Sequence, residues 1–256
     1  MTEGFLSEAL ARALERGHLA AQTPNPRGFR EVLLRARGAG RPALVFEFKR
    51  CSPRGFVAYM TPWEFHRIFE RAADAYSVLV EPYWFCGSLE LLPWFSRFKS
   101  VLAKDLTASE AQLEAYRSWG ASAALLILDM LGWRRLEELY EHARSLGLDI
   151  VIEVSRGEDA VEAMNSYPES VVGVNARDLK SLKLDFEAAL RELEKASAHK
   201  PQRGLLMAES GIDSPLKAVK AVKVGADALL IGTWAMKKPL EAARLREALA
   251  HSLEGV

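Results

Sequence analysis

A carboxylate and an ammonium stand two residues apart where a short apolar run closes. Ala43-Leu44-Val45-Phe46 leads into Glu47-Phe48-Lys49-Arg50-Cys51-Ser52-Pro53. Residues i and i+2 of a β-strand share a face, so Glu47 and Lys49 point one way while Phe46 and Phe48 point the other. Ser52-Pro53 then stops the strand. An opposed acid and base at a strand end is what proton transfer requires, and a buried core does not accept such a pair without compensation.

Other apolar runs end in the same manner: Val101-Leu102-Ala103-Lys104, Val151-Ile152-Glu153, and Leu205-Leu206-Met207-Ala208-Glu209-Ser210. Glu81, Asp105, Asp129, Asn175 and Arg177 also fall at or just past strand-like segments. A single polar strand end often means only that the chain is meeting water. Glu47, Lys49, Lys104, Glu153, Asn175 and Glu209 together are harder to explain in that way, because alternation aims all of them to one side. Lys and Glu held close would shift one another's proton affinity, which suits acid–base work.

The elements that must hold these groups repeat along the chain. Strands are predicted near 43–49, 75–81, 101–104, 124–129, 149–154, 171–175, 204–209 and 228–231, with helical stretches at 62–73, 88–98, 108–118, 133–146, 156–166, 185–197, 213–224 and 239–252. Several strands are continuously apolar, as in Ala124-Leu125-Leu126-Ile127-Leu128, which suits parallel strands covered on both faces. Leu136, Leu139, Tyr140 and Ala143 mark a helix face, and Asp213-Ser214-Pro215 a helix start. Eight alternations at a repeat of ~25 residues predict an α/β fold, a (β/α)8 TIM barrel, in which chemistry sits at the C-terminal ends of the strands. No glycine-rich dinucleotide loop follows the first strand, which argues against an open doubly wound sheet. Residues 1–40 read as an N-terminal helical extension bent at 23–28, and residues 1–256 as one domain.

Two loops suggest an anion site. Glu209-Ser210-Gly211-Ile212 follows strand 7 and Ile231-Gly232-Thr233 follows strand 8. In this fold these loops commonly cradle a phosphate with backbone N–H groups. Either motif alone is weak evidence, because glycine also simply ends strands.

Bulk properties narrow the class. Lys plus Arg and Asp plus Glu both number 34, so no overall field draws nucleic acid or an anionic membrane. No apolar run approaches the ~18 residues of a membrane span, and Met1–Arg16 lacks the apolar stretch of a secretion signal; the cytoplasm is the expected compartment. The five histidines (His18, His66, His142, His199, His251) show no metal-ligand pairing and read as surface or capping residues. Ser52 and Ser210 have no histidine at a neighbouring strand end, which disfavours a serine nucleophile. Lys104 has the placement of a Schiff-base lysine or a general acid. Cys51 and Cys86 read as two packed free thiols, with a bridge as the alternative because both fall just past strand ends on one side of the fold. Tyr83-Trp84-Phe85 lines a ring pocket or covers the core.

These residues resemble the indole-3-glycerol-phosphate synthase family from about residue 40 to residue 240. The similarity rests on Glu47-Phe48-Lys49-Arg50-x-Ser52-Pro53, Ser77-Val78-Leu79-Val80-Glu81-Pro82 with Phe85-Cys86-Gly87-Ser88, Lys104-Asp105, Glu153-Val154, Gly173-Val174-Asn175-Ala176-Arg177-Asp178-Leu179, Ala208-Glu209-Ser210-Gly211-Ile212, and Gly225-Ala226-Asp227-Ala228-Leu229-Leu230-Ile231-Gly232. The glycine and phosphate motifs also fit neighbouring barrels such as phosphoribosylanthranilate isomerase; the Glu-x-Lys-Arg-x-Ser-Pro and Asn-x-Arg-Asp-Leu motifs separate them.

The resemblance implies a phosphorylated small-molecule substrate, 1-(2-carboxyphenylamino)-1-deoxyribulose 5-phosphate, which loses carbon dioxide and water as its ring closes to an indole. It implies no cofactor or metal, no nucleic acid or membrane partner, and leaves room for association with other enzymes of tryptophan biosynthesis. Catalytic positions carried over are Glu47, Lys49, Lys104, Glu153, Asn175, Glu209 and Ser210, with Lys104 as acid at the ketone and Asn175 orienting Glu47 and a substrate hydroxyl. The division of acid roles between Lys49 and Lys104 stays open. Ser52, Pro53, Phe85, Leu106, Leu131, Arg177 and Leu179 would bind substrate, and Lys49, Arg177, Gly211, Gly232 and Thr233 its phosphate. Three positions depart from the family pattern: Leu106 for a common Phe, Val80 for a common Thr, and Trp234 for a small residue. Phe5 reads either as a lid aromatic or as a core residue. The alternatives are another phosphosugar barrel isomerase or lyase, and a non-catalytic barrel that binds a phosphorylated ligand.

Overall fold

The computed structural model describes residues 28–53, 55–177 and 183–253. Eight parallel strands close into a barrel in sequence order: β1 (Ala43–Phe48), β2 (Ala75–Leu79), β3 (Ser100–Lys104), β4 (Ala123–Ile127), β5 (Asp149–Val154), β6 (Val171–Asn175), β7 (Leu206–Glu209) and β8 (Ala228–Ile231), with β8 paired back to β1. The order and class agree with the sequence reading.

Alternation divides each strand between two cores. Leu44, Phe46 and Phe48 face outward into the layer shared with the surrounding helices, with Phe46 stacked on Phe69 and Phe48 edge-on to Phe65. Ala43 and Val45 face inward with Ala75, Leu102, Leu125, Val151 and Met207. The lower opening is covered by α1 (Phe29–Gly38), whose Phe29, Leu33 and Ala36 recur at helical spacing and are buried against the inner core. This is the described part of the predicted N-terminal extension. His18, Phe5 and the bend at 23–27 lie outside the described residues, as do Asp178 and Leu179.

Three local expectations need correction. The run at 124–129 is not strand throughout: β4 ends at Ile127 and a helix starts at Leu128, so Asp129 is exposed and accepts a hydrogen bond from Ser155. A continuous apolar run cannot separate strand from buried helix, since both bury every residue of such a segment. The stretch at 239–252 divides into Pro239–Ala243 and Leu245–Leu253. His66 is not a surface residue. It is buried beneath a stacked Phe98 ring with Nδ1 3.0 Å from the Tyr76 hydroxyl, and burial lowers its pKa. The other described histidines are at least partly exposed.

Candidate active site

One ring of side chains defines the barrel mouth. Strand pairing sets Glu47 beside Ser77 and Ser77 beside Leu102; Lys104 beside Leu79; Glu153 beside both Ile127 and Gly173; and Glu209 beside Asn175. A barrel of this type staggers by about one residue per strand, and each interior layer takes one residue from alternate strands. Followed around the barrel, the stagger puts Glu47, Lys104, Glu153 and Glu209 from β1, β3, β5 and β7 in a single layer. All four are ionisable, which makes this layer unlike the apolar ones beneath it.

Their geometry is closed. Lys104 Nζ donates to Glu153 Oε2 at 3.0 Å and to Glu209 Oε2 at 2.6 Å. Lys49, one strand-turn above Glu47, donates to Glu47 Oε1 at 3.1 Å and to Thr233 Oγ1 at 3.1 Å. Burial works against the Lys104 ammonium, but Glu153, Glu209 and Glu47 outweigh it and hold its pKa above the ordinary lysine value. With Lys49 included, three carboxylates meet two ammonium groups, so one negative charge is in excess. That excess falls on Glu209: burial pushes its carboxyl up to about 8, with Lys104 opposing and Glu153 adding to the rise. Glu153 goes the other way. Burial would raise it, but Lys104 and the Asn175 amide hold it below the usual carboxylate range. The two carboxyls share one ammonium and titrate as a unit.

Two glycines make room for this layer. A Cβ on Gly173 would lie 2.0 Å from Glu209 Oε1, and one on Gly232 would lie 2.5 Å from Glu47 Oε1. Gly232, expected to open the way for a phosphate, therefore also seats a carboxylate. Ser210 adopts a left-handed backbone (φ 63°), a conformation costing a non-glycine residue roughly 1–2 kcal/mol; strain of this kind collects at functional sites.

Above the layer is a cavity of about 650 Å3, lined on one side by Lys49, Ser52, Pro53 and Phe56 and on another by Arg177, Ser210 and Gly211. Phe85, Leu106, Glu153, Asn175, Gly232 and Thr233 also face it. Thus nearly every described candidate meets in one space. Two do not line it: Leu131 packs against the outer core, and the buried Glu209 lies behind Lys104, which it meets by a hydrogen bond. Asn175 also needs correcting: its amide donates to Glu153 Oε1 at 2.7 Å, not to Glu47, and its own Oδ1 accepts from Arg177 N. Strand β6 adjoins β5, whereas β1 lies across the mouth, so proximity selects Glu153. Glu81 faces the cavity, yet its carboxylate accepts from the N–H groups of Tyr83, Trp84 and Phe85 and serves as a helix cap. Of that aromatic run, Phe85 lines the cavity while Tyr83 and Trp84 are exposed.

Sequence reasoning missed several lining residues. Leu79, Leu125, Ile127 and Leu230 line the cavity from the strands, and strand alternation carries that signal. Lys237 and Lys238 follow β8; a pair of lysines beside a phosphate loop was the available clue, and Trp234, noted above as a departure from the family pattern, lines the cavity too. Lys237 Nζ sits 5.7 Å from the Phe56 ring centroid, with Lys49 Nζ 6.0 Å from the same ring. Trp234 is buried. Cys51 and Cys86 are not free: they form a disulfide. The strands they follow, β1 and β2, are direct neighbours, so the loops leaving them emerge side by side.

A closed parallel barrel with a charged layer under a cavity at the C-terminal strand ends places the chain in the (β/α)8-barrel class, with its ionisable groups at the end where such barrels carry their chemistry. Comparison with known proteins narrows the class. The family described as indole-3-glycerol phosphate synthase matches residues 7–248. An indole-3-glycerol phosphate synthase of Aeropyrum pernix is 44% identical, covering 99% of this chain and 98% of its own length; one from Pyrobaculum aerophilum is 34% identical, covering 95% and 96%. Among solved structures, tryptophan synthase subunit alpha from Legionella pneumophila superposes with a TM-score of 0.62 at 14% identity, covering 88% of this chain and 98% of that one. For 3-hexulose-6-phosphate synthase from Salmonella typhimurium the TM-score is 0.61 at 12% identity, covering 82% and 99%. At such identities the two structures speak to the fold alone. The chain belongs to the indole-3-glycerol phosphate synthase family, carboxy-lyases of tryptophan biosynthesis. Among the described residues no helix is long and apolar enough to cross a membrane.

Proposed function

We propose that this chain performs the family's reaction on 1-(2-carboxyphenylamino)-1-deoxyribulose 5-phosphate, with Lys104 as the acid at the ketone and the rest of the charged layer managing the protons that follow. The observation that carries the reading is the Lys104 ammonium held between Glu153 and Glu209 beneath a cavity of substrate size.

The carboxylate-bearing ring carbon attacks the ketone, and Lys104 protonates the oxygen as the carbon–carbon bond forms. Carbon dioxide then leaves, and its bonding electrons restore the aromatic ring. In the last step the new hydroxyl departs as water while the adjacent carbon loses a proton. Glu153, ionised and fixed by Asn175, suits the base in that step. Glu209 keeps a proton to neutral pH and lies 2.6 Å from Lys104, which suits it to return a proton to the spent lysine. The Lys49–Thr233 bond draws Lys49 toward the phosphate loops, which favours Lys104 over Lys49 at the ketone. There Lys49 would hold the phosphate with Thr233, Arg177 and the Gly211 and Gly232 backbone, while Glu47 completes the ion pair.

A Schiff-base role for Lys104 requires a neutral amine, which its three carboxylate neighbours disfavour. The test is direct: incubation with the substrate should produce indole fluorescence. Lys104→Ala should lower turnover by roughly two to four orders of magnitude, and near-normal turnover in that variant would remove the mechanism.

A further inference from the structure

The loop after β1 brings three residues to the cavity, Ser52, Pro53 and Phe56. It forms a small hairpin, with Cys51 bridged to Val57, Ser52 N donating to Phe56 O at 3.0 Å and Ala58 N to Arg50 O at 2.7 Å. Most of its described residues are exposed or only partly buried, and Phe56 and Ala58 are the two that pack against the outer core.

Its neighbour is built differently. Helix α3 (Pro82–Phe85) is capped by the buried Glu81 carboxylate. (In chain order α2 is Pro62–Phe69.) Gly87, just past the helix, approaches β2 so closely that a Cβ there would lie 2.5 Å from the Val80 carbonyl carbon and 2.6 Å from Leu79 O. Cys86, between these two fixed points, takes a left-handed backbone (φ 54°). One cysteine thus belongs to a rigid shelf and the other to a lightly packed hairpin. The Cys51–Cys86 disulfide joins them, alongside one backbone bond from Cys51 N to Phe85 O at 3.3 Å.

We propose that the Cys51–Cys86 bridge is a positioning device for substrate binding, clamping the β1 hairpin over the cavity so that Ser52, Pro53 and Phe56 meet Phe85 across the bound molecule, and that its reduction loosens this wall. Resting on the function proposed above, it adds a covalent element outside the reacting groups. The hairpin also touches the charged groups through Phe56, whose ring stands within cation–π range of both Lys49 and Lys237. A clamped wall binds more tightly because less ordering remains to be done on association. Reduction by a dithiol breaks the S–S bond, yields two thiols with the two electrons and two protons that the dithiol gives up, and releases the dithiol as its own disulfide. A reducing compartment would therefore leave the hairpin open, and an oxidising one would leave it closed.

The experiment compares the oxidised full-length chain, the same protein treated with dithiothreitol, and a Cys51→Ser/Cys86→Ser double variant. KM should rise about tenfold in the last two, with kcat changing much less, and dithiothreitol should have no further effect on the double variant. Trypsin cleavage at Arg50 should accelerate in parallel, a readout that does not depend on turnover. Equal KM and equal cleavage rates across the three forms would reduce the bridge to a staple of stability. Two titratable thiols in the unreduced, denatured protein would dispose of it altogether. If the oxidised protein has no turnover, the proposed reaction fails, while the cleavage rates still decide the clamp.

Discussion

Lys104 donates to Glu209 Oε2 across 2.6 Å, while the other oxygen of the same carboxyl, Oε1, is buried with no donor to accept from. A carboxylate solvated on one oxygen only, beside a second buried carboxylate, is poorly stabilised as an anion. The contact is therefore a hydrogen bond from an ammonium to a carboxyl that keeps its proton to neutral pH, and becomes an ion pair only above about pH 8.

Glu209→Gln should expose that store. If Glu209 returns a proton to Lys104, kcat should fall as pH rises through about 8, and the variant should lose this limb together with roughly 10²-fold in kcat. The stability sign follows from the same shift. A carboxyl whose folded pKa lies above its unfolded value, 4.5, contributes most below that value and loses its contribution as pH climbs toward about 8. Denaturant titrations at pH 5 and pH 9 should show the wild-type loss and a smaller loss in the variant.

Gly173→Ala adds one methyl group, 2.0 Å from Glu209 Oε1. The carboxylate must move, and its bond to Lys104 is the contact most exposed to that movement. We expect kcat to fall by roughly 10²-fold, as for other small misplacements of reacting groups, with KM changing far less. An unaltered kcat and pH profile would mean that Glu209 relocates without consequence.

At the opposite end of the barrel, Asp74 accepts from both terminal guanidinium nitrogens of Arg41, from Arg246 and from Leu44 N. Burial raises its pKa, but the two arginines and the backbone donor hold it below the usual aspartate range. A depressed carboxyl stabilises the fold above its unfolded pKa of 3.8, and the benefit disappears as pH falls through the lower folded value. Asp74→Ala should cost about 2–3 kcal/mol at neutral pH, measured by denaturant unfolding. KM and kcat should be unchanged, since neither Asp74 nor any of these partners lines the cavity.

Much of this was legible along the chain because strand alternation is a strict two-residue rule. Once Val45 faces inward, Glu47 and Lys49 must as well, and the same logic holds for Lys104 above Leu102 and Glu153 above Val151. Eight repeats of strand and helix leave few ways to close, so the barrel and the side carrying the chemistry follow from local pattern. Pairings across the mouth obey no such rule. That Asn175 serves Glu153 and not Glu47 depends on which strands adjoin. The reach of Lys104 to Glu209, 105 residues away, depends on barrel stagger. The roles of Gly173 and Gly232 depend on carboxylates arriving from other strands.

The amino-acid order alone thus determined the architecture, the inward set of ionisable side chains and the loops that flank them, because these rest on periodicity and turn chemistry, which act between near neighbours. Tertiary structure alone decided which charges pair, where the odd proton resides, that Asp129 faces solvent, that His66 is buried, and that Cys51 and Cys86 join. Asp129 turns on where β4 gives way to helix; the other outcomes are distances between separate elements, and only the packing of the closed barrel sets such distances.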